Sequence, residues 1–408
     1  MPACVGTAAL IWAGTGGHHL VGRLLSLAPF VWIGLISYSL YLWHWPVLIA
    51  ARMIEGSAVL DLPLAWACIG LSLALAFLSW KFVEQPFRRK ARMAAPARKQ
   101  IFGFSAGGIF LLGSVSAGVA LADGLPLRLG ASTIALHADA TRLHPLDRQC
   151  TTQGKSPNAC PVGSEAPGAQ VAYVLWGDSH AGAMISGFDH WLKREGKAGI
   201  AFAKAACAPM LGLRRADMGS RHGCDTHNAA VLERILADYP QATIVLVGRW
   251  TMLAMGTRMT GEPGGLAILT TSAQPASGIA ANAALLENGL AELVARLRQA
   301  DRRVVLLAGV PEPGFHVPNN QARAAMLGTV PREVSRATFD QRIATSDPLL
   351  VRVAERYGAR LVRPADFLCD DTRCGVLLAG KPLYRDDDHL SIAGAAWLVP
   401  RMMAAAAS

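Results

Sequence analysis

Three apolar stretches near the N-terminus most constrain what this chain can fold into. Residues Pro29–Met53, Leu62–Phe82 and Ile101–Ala122 are each long enough to cross a bilayer as a helix, which takes about 20 apolar residues. Residues 4–15 are apolar but shorter, and we interpret them as the stub of a further membrane helix. A signal peptide is the alternative, disfavoured because no basic residue precedes the apolar run. With 52% hydrophobic and 17% charged residues, the chain is predicted to be part membrane-embedded and part globular.

The positive charge is concentrated in one loop. Between Lys81 and Lys99 there are seven basic residues and a single acid, Glu84, which together account for six of the ten net positive charges. Because this loop lies between two apolar stretches, it favours a cytoplasmic membrane-flanking loop over a nucleic-acid patch, which would need basic residues spread over a folded face. We therefore expect membrane lipids and no nucleic acid as partners, and a periplasmic location for everything after Asp123.

The cysteine pattern points to the same oxidising compartment. Six of the eight cysteines follow residue 140 and form three neighbouring pairs: Cys150 with Cys160, Cys207 with Cys224, and Cys369 with Cys374. Such local, even pairing is typical of disulfides, although neighbour pairing is only the simplest of the possible connectivities. No Cys/His spacing indicates zinc, so no metal site is predicted. Cys4 and Cys68 lie in apolar stretches and are interpreted as inert packing residues.

Two motifs stand out in the apolar region. The first, SYSLYLWHWP over residues 37–46, places His44 at membrane depth, where ionisable side chains are costly and tend to mark functional sites. An interfacial aromatic belt is the alternative explanation for its tryptophans and tyrosines. The second, VEQPFRR, ends the next apolar stretch at residues 83–89. Together they resemble the C-terminal helices of the membrane acyltransferase-3 family, and the resemblance covers residues 1–122.

That resemblance implies a function. Members of the family move acyl groups, often acetyl, across a membrane onto sugars of the cell envelope, with acyl-CoA as the implied donor. Their proposed catalytic histidine lies in first helices that this chain does not contain. We therefore expect either an N-terminally truncated fragment or a short form, served by the missing acyltransferase helices or by a partner membrane protein.

The rest of the chain divides into a connector and an alternating region. Residues 123–164 lack sustained periodicity and are predicted to be a linker pinned by Cys150 and Cys160. From residue 165 to 408, strand-like and helix-like segments alternate, which predicts a mostly parallel sheet covered on both faces. Residues 311–332 are predicted to form a long loop over the site. The predicted strands are 171–176, 199–203, 242–247, 303–309 and 359–362, and the predicted helices are 181–194, 228–239, 280–300, 347–357 and one after His389.

Ser179 is the candidate nucleophile. It follows a short apolar strand and the turn Gly177-Asp178, and it precedes a segment with helical spacing. A serine there would lie at the carboxyl edge of a parallel sheet and at a helix N-terminus, where ligands bind and backbone N–H groups can meet an oxyanion. The alternative is that this serine only caps the helix.

The C-terminal region supplies a base for that serine. A serine hydroxyl needs a base within hydrogen-bonding reach and a third group that orients the base. His389 is the candidate base, and Asp386, three residues earlier, is the candidate orienting group. Asp387 or Asp388 could take the same role, although spacing favours Asp386. A solvated acidic loop or a cation site is the alternative for these carboxylates.

These residues resemble the SGNH (GDSL-type) esterases and acyltransferases over residues 165–408. The resemblance implies that Ser179 is the nucleophile, His389 the general base and then acid, and Asp386 its orienting partner. The predicted fold is an α-helical transmembrane segment followed by an α/β three-layer, flavodoxin-like SGNH domain. One block departs from the family, because Gly248-Arg249-Trp250 stands where an asparagine is expected.

Because of this departure, the sequence does not determine all the donors of the oxyanion hole. The Ser179 N–H can still donate to it, and either the Gly248 N–H or the Arg249 guanidinium could replace the missing amide. The alternative is that Arg249 is an ordinary surface residue. SGNH domains fused to acyltransferase-3 regions show a similar departure, and this joins the two resemblances.

The predicted protein is a multi-pass protein of the bacterial inner membrane with a periplasmic C-terminal domain. It is an O-acyltransferase that binds no cofactor and transfers an acyl group, typically acetyl, to an envelope glycan acceptor such as lipopolysaccharide through an acyl-Ser179 intermediate. Two alternatives stay open at this stage. The first is a tethered esterase that uses the same three residues, and the second is a non-catalytic glycan-binding domain.

Overall fold

A computed structural model of the chain divides into two compact units, residues 1–125 and residues 126–408. It describes residues 2–14, 20–56, 59–86, 98–122, 124, 129–152, 154, 156–166, 168–219, 222–260, 262, 264–271 and 275–407. Phe87, Arg88 and Arg89 of the second membrane motif, and most of the basic loop around them, lie outside these residues, as does Asp123.

The first unit is helical. Its helices are α1 (Pro2–Gly14), α2 (Leu20–Leu25), α3 (Ala28–Glu55), α4 (Leu62–Ser79), which continues as a π-helical turn over Trp80–Glu84, and α5 (Arg98–Leu121). Three spans, Ala28–Glu55, Leu62–Glu84 and Arg98–Leu121, are long and apolar enough to cross a membrane by length and composition. These are the three spans predicted from the sequence. The short helix α2 was not predicted.

The two membrane motifs meet between α3 and α4. The Ser39 hydroxyl donates a hydrogen bond to the Glu84 carboxylate, which belongs to the π-helical turn. Ser39 itself is 1% exposed, so this polar contact lies inside an otherwise apolar helix pair. His44 uses its Nδ1–H within its own helix and donates to the carbonyls of Tyr41 and Leu40 at 2.8 and 3.1 Å. A functional role for His44 stays a prediction.

The second unit is built on a six-stranded sheet. Its strands are β1 (Cys160–Gly163), β2 (Val171–Gly177), β3 (Ala198–Ala203), β4 (Thr243–Val247), β5 (Val304–Leu307) and β6 (Arg360–Val362). They lie in the order β1-β3-β2-β4-β5-β6, and β1 is antiparallel to β3 while the other pairs are parallel. The five parallel strands have the flavodoxin-like order, so the chain reverses direction across the sheet between β2 and β4.

Helices cover both faces of this sheet. They are α6 (Ala131–Thr141), α7 (Pro145–Cys150), α8 (Ser179–Arg194), α9 (Cys224–Asp238), α10 (Trp250–Met255), α11 (Gly278–Gln299), α12 (Val317–Leu327), α13 (Arg336–Ile343), α14 (Ser346–Tyr357), α15 (Ala365–Leu368) and α16 (Ile392–Ala407). Helices α8 and α16 bury apolar side chains against one face, and α9, α11 and α14 bury theirs against the other. The unit is therefore a three-layer α/β domain, which confirms the predicted fold class.

Strand alternation produces the two cores. Successive side chains of a strand point to opposite faces, so a fully apolar strand can feed both layers. In β4, Ile244 and Leu246 join the core under α9 and α11, while Val245 and Val247 join the core under α8. Helix α16 packs closely on α8, because Gly187 has no side chain at its contact with the Ala395 backbone. The helix that follows His389 is thereby held against the helix that begins at Ser179.

The structure corrects two expectations about irregular regions. Residues 123–164 were predicted to be a linker, but most of the segment belongs to the second unit and forms α6, α7 and the edge strand β1. Residues 311–332 were predicted to be a loop, yet their centre is the helix α12, capped by the His316 side chain, which accepts the Asn319 N–H. Both α7 and α12 begin at histidine caps, which are not among the side chains that usually signal a helix start.

Candidate active site

The candidate site lies at the carboxyl edge of the sheet, at the ends of the neighbouring strands β2 and β4. Ser179 is the first residue of α8 and follows directly on β2 and its buried neighbour Asp178. In open α/β sheets this switch point is the usual ligand-binding crevice. The N–H of a first helical residue has no acceptor within its helix, so the Ser179 N–H is suited to bind an anion there.

Backbone contacts fix the turn that carries Ser179. Asp178 accepts the His180 N–H through Oδ1 at 2.9 Å and the Arg249 N–H through Oδ2 at 2.8 Å. Its carboxylate thereby ties the end of β2 to the end of β4. Gly177 has to be glycine, because a Cβ at this position would collide with the Val247 carbonyl of the neighbouring strand.

The structure brings the predicted serine, histidine and aspartate together. His389 Nε2 lies 2.9 Å from Ser179 Oγ, and His389 Nδ1 lies 3.0 Å from Asp386 Oδ2. The other carboxylate oxygen of Asp386 accepts the backbone N–H groups of Asp388 and His389 at 3.1 and 2.7 Å. These contacts hold the proton of His389 on Nδ1 and leave Nε2 as the acceptor for the serine proton.

A second carboxylate also binds His389. Asp388 Oδ1 lies 2.6 Å from Nδ1, so two carboxylates face the same ring nitrogen. Asp388 is 4% exposed, and its other oxygen lies 3.4 Å from Nε2 of His180. The sequence predicted Asp388 only as a substitute for Asp386, whereas in the structure both carboxylates contact His389. His180 was missed, although its place directly after Ser179 was a usable signal.

The electrostatics follow from these contacts. Burial by itself lowers the pKa of His389, but the hydrogen bonds to Asp386 and Asp388 outweigh it and raise the pKa to about 10. Burial raises the pKa of Asp388, yet its contacts with His180 and His389 bring it well below the ordinary range. The pKa of Asp386 is lowered as well, by its hydrogen bond to His389 against the effect of burial. The two carboxylates therefore stabilise the imidazolium that forms when His389 takes the serine proton.

Arg249 is the centre of a buried charge network. Its Nε donates to Glu312 at 2.6 Å, its Nη1 and Nη2 donate to Glu262 at 2.7 and 2.6 Å, and Nη1 lies 2.8 Å from Asp388 Oδ2. The side chain is 7% exposed, so it is not the ordinary surface residue of the alternative interpretation. Burial lowers the pKa of Arg249, but Glu262, Glu312 and Asp388 raise it above its usual value.

The Arg249 guanidinium, one of the predicted oxyanion donors, donates to carboxylates in this structure. Its donors are directed at three carboxylates, and its backbone N–H is bound by Asp178. Its visible role is to hold Asp388, and through Asp388 the ring of His389. The Gly248 N–H stays a predicted oxyanion donor, together with the Ser179 N–H. Glu262 and Glu312 were not identified from the sequence.

Neighbouring segments hold the loop that carries His389. The Gly314 N–H donates to the Asp387 carbonyl at 3.3 Å, and the Val317 N–H donates to the Asp386 carbonyl at 3.1 Å. On the other side, Arg385 binds Asp147 of α7 at 3.3 Å. The position of the predicted base therefore depends on two segments distant in sequence.

The cysteines of the second unit form three disulfides, Cys150–Cys160, Cys207–Cys224 and Cys369–Cys374, which are the neighbour pairs predicted from the sequence. Cys68 is buried in the helical unit, and Cys4 is exposed on α1. At the site itself, His180, Asp388 and His389 form one group of possible metal ligands, and Asp386, Asp387 and Asp388 form another. Asp386 and Asp388 already bind His389 and Arg249, so these groups are explained by the charge network.

Comparison with known proteins identifies the family of the second unit. The family model "SGNH domain (fused to AT3 domains)" matches residues 147–404, which is more than half of the chain. The O-acetyltransferase OatA of Staphylococcus aureus (strain MRSA252) is 33% identical over 86 residues, which is 20% of this chain and 14% of that protein. OatA of strain NCTC 8325 / PS 47 is 34% identical over 71 residues, covering 17% of this chain and 12% of that protein.

Solved structures give a more distant likeness. The periplasmic domain of the Salmonella ser. Paratyphi A lipopolysaccharide acetyltransferase has 16% sequence identity and a TM-score of 0.44, and the match covers 58% of this chain and 83% of that one. The aligned stretches of the two curated relatives above span only 12% to 14% of their length. The family match rests on the second unit, where the serine, the histidine and the two aspartates meet. The chain belongs to the family of SGNH domains that are fused to AT3 domains.

Proposed function

We propose that this chain is the acyl-accepting part of a membrane O-acyltransferase, which transfers an acyl group, typically acetyl, to a hydroxyl of a cell-envelope glycan. The observation that carries the proposal is the continuous series of contacts from Ser179 Oγ to His389 Nε2 and from His389 Nδ1 to Asp386 and Asp388. The names of relatives support the acetyl group and the envelope acceptor, since two of them are called O-acetyltransferase and a third is a lipopolysaccharide acetyltransferase.

Acylation of Ser179 is the first half of the reaction. His389 Nε2 takes the hydroxyl proton while Oγ attacks the acyl carbonyl, and the negative charge moves onto the carbonyl oxygen. The Ser179 N–H, and the Gly248 N–H as predicted, donate to that oxygen. When the tetrahedral intermediate collapses, the bond to the donor breaks and the leaving group takes the proton from His389.

Transfer to the glycan is the second half. A sugar hydroxyl gives its proton to His389 Nε2 and attacks the acyl-Ser179 carbonyl, and Ser179 Oγ leaves with the proton from His389. In both halves His389 becomes an imidazolium, which the carboxylates of Asp386 and Asp388 stabilise. If water replaces the sugar hydroxyl, the same residues hydrolyse the ester, and this is the esterase alternative.

The helical unit suggests how the acyl group arrives. Three helices long enough to span the membrane precede the domain, and the basic loop before α5 favours a cytoplasmic side for that loop. We propose a multi-pass protein of the bacterial inner membrane with the α/β domain in the periplasm, where disulfides persist. Acyl-CoA is the proposed cytoplasmic donor, and further acyltransferase helices or a partner membrane protein would carry the acyl group across.

The test uses the bacterium that encodes the chain. Deletion of the gene, followed by mass spectrometry of the envelope glycans, should show less O-acetylation if the protein is a transferase and more if it is an esterase. Complementation with Ser179→Ala should leave the deletion phenotype, while the matched variant Ser186→Ala, two turns further along α8, should restore acetylation. Full restoration by Ser179→Ala would overturn both enzyme functions and leave the glycan-binding alternative.

A further inference from the structure

A cluster of cysteine and histidine side chains lies outside the candidate active site. It joins the loop after β3 to the start of α9 and consists of Cys207, His222 and Cys224. The two sulfurs form a disulfide, and a ring nitrogen of His222 lies within 4.8 Å of both. Cys207 and Cys224 are 0% and 1% exposed, so the sulfurs are shielded from solvent.

A backbone contact fixes the tautomer of His222. Its Nε2 lies 2.8 Å from the Ala205 carbonyl, and a carbonyl can only accept, so the proton is on Nε2. Nδ1 therefore keeps its lone pair. Histidines that bind metals commonly donate their other ring N–H to a backbone carbonyl in this way, which fixes both the tautomer and the direction of the ring.

His227 is the independent observation that points to a ligand. It lies one helical turn after Cys224 on α9, it is 0% exposed, and neither ring nitrogen has a hydrogen-bond partner in the part of the chain that the structure describes. A buried polar group without a partner costs about 1–3 kcal/mol. Burial, together with the nearby Lys204 and His222, lowers the pKa of His227 to about 4, so its ring is neutral at physiological pH.

We propose that reduction of the Cys207–Cys224 disulfide creates a binding site for one Zn²⁺ ion, held by Cys207, His222, Cys224 and His227. A thiol reductant supplies two electrons and leaves as its own disulfide, while the protein S–S bond becomes two S–H groups. Each thiol then loses its proton to solvent as a Zn–S bond forms. Two thiolates and two neutral imidazoles are a ligand set that zinc prefers.

Two changes convert the cluster into the site: the sulfurs move apart, and the His227 ring, which lies outside the group within 4.8 Å, turns toward them. The disulfide sulfurs are 2.05 Å apart, and tetrahedral zinc with Zn–S bonds of about 2.3 Å would separate them by about 3.7 Å. Lys204, 4% exposed and bound to the Gly154 carbonyl at 2.9 Å, fixes the chain three residues before Cys207.

Either form of the cluster holds the loop beside the candidate nucleophile. The Lys204 N–H donates to the Gly177 carbonyl at 3.1 Å, two residues before Ser179. The disulfide in an oxidising environment and zinc in a reducing one would thus keep the same segment in place. This inference does not depend on the proposed acyl transfer.

The experiment measures zinc on the full chain purified in detergent. After anaerobic reduction with a water-soluble phosphine, which becomes its oxide, the chain is given excess ZnCl2 and desalted, and bound zinc is counted by mass spectrometry. We expect one ion per reduced chain and none per oxidised chain. The double variant His222→Ala/His227→Ala should weaken zinc binding by more than about tenfold, since even the outer partners of metal ligands contribute that much.

Controls separate this pair from the other cysteines. Reduced chains carrying Cys150→Ser/Cys160→Ser or Cys369→Ser/Cys374→Ser should still bind one ion, whereas Cys207→Ser/Cys224→Ser should bind none. Because the buried His227 variant could unfold, Co²⁺ is added to the reduced wild-type chain as a second measurement. Intense tetrahedral d–d bands with a thiolate charge-transfer band are expected. Less than one zinc per chain, octahedral cobalt, or full binding by the histidine double variant would overturn the proposal.

Discussion

The segment that carries Ser179 and the segment that carries His389 are positioned in different ways. Ser179 stands on regular structure, between β2 and α8, and its turn is fixed by backbone contacts and by the bare Gly177. His389 stands in an irregular loop held by side-chain charge, since Asp386 and Asp388 bind its ring and Arg249 binds Asp388. The position of the proposed nucleophile is therefore set by local folding, and the position of the proposed base is set by long-range contacts between charged groups.

The largest loss of stability should come from removing the positive charge of Arg249, which holds Asp388 and through it His389. Arg249→Met leaves Glu262, Glu312 and Asp388 buried together without their common partner, and breaking a buried ion pair from one side costs about 3–5 kcal/mol. We expect a loss of stability of that order, measured by thermal unfolding in detergent, together with a loss of acyl-ester turnover because Asp388 is no longer held.

Arg352→Met is the matched control. Arg352 binds Glu287 at 2.6 Å, but its side chain is 58% exposed, so solvent screens the pair and its loss should cost about 1 kcal/mol or less. Equal losses of stability for the two variants would contradict the view that the charge network positions the base.

A smaller effect is expected from disturbing the nucleophile segment. Gly177→Ala places a methyl group against the Val247 carbonyl, and because backbone cannot rotate away, we expect about 1–3 kcal/mol of destabilisation. Displacement of the neighbouring Ser179 should also lower kcat, since a shift of about 1 Å can cost on the order of 100-fold. Thermal unfolding and ester turnover measure the two effects.

Gly182→Ala, on the same side of the domain within α8, is the comparison variant. Its added methyl group would meet Thr151 Oγ1 at an ordinary 3.8 Å, and alanine favours a helix over glycine by about 1 kcal/mol. We expect unchanged or increased stability. If Gly177→Ala behaves like Gly182→Ala, the close approach of β2 and β4 does not determine the turn.

The smallest effect is a displacement of the pH profile. The neutral form of His389 is the base, so kcat/KM should rise with pH through the pKa of His389, which its two carboxylates raise. Asp388→Asn removes one negative charge and lowers that pKa, so the acidic limb should move to lower pH by about one unit. The pH dependence of ester turnover measures this.

Asp387→Asn is the control in the same loop, because the Asp387 carboxylate does not bind the His389 ring. The acidic limb of the pH profile of this variant should not shift. A displacement to higher pH for Asp388→Asn, or equal displacements for both variants, would show that Asp388 does not act on the ring directly.

Predictability from the sequence follows the same division. The strand, turn and helix around Ser179 were predicted because apolar β2 and the helical spacing of α8 are local signals. The triad spacing and the neighbouring disulfides were local as well. The charge network was not predictable, because Glu262, Glu312 and Asp388 come from separate segments and only the folded sheet edge brings them to Arg249.

Two helices and the proposed zinc ligands were also missed in the sequence, for physical reasons. Helices α7 and α12 were missed because histidine side chains cap them and polar residues fill their exposed faces. The cluster proposed to bind zinc gave no recognised spacing, since Cys207 is 17 residues from Cys224 and His227 lies one helical turn after Cys224 on α9.

The contact between α8 and α16 joins two helices that are far apart in the order of synthesis. Ser179 precedes His389 by 210 residues, and the loop of His389 is held in part by the helix that follows it. While a ribosome extends the chain, the serine leaves the exit tunnel long before its base exists. The proposed nucleophile therefore meets its proposed base only once α16 has docked on α8, the helix that begins at Ser179.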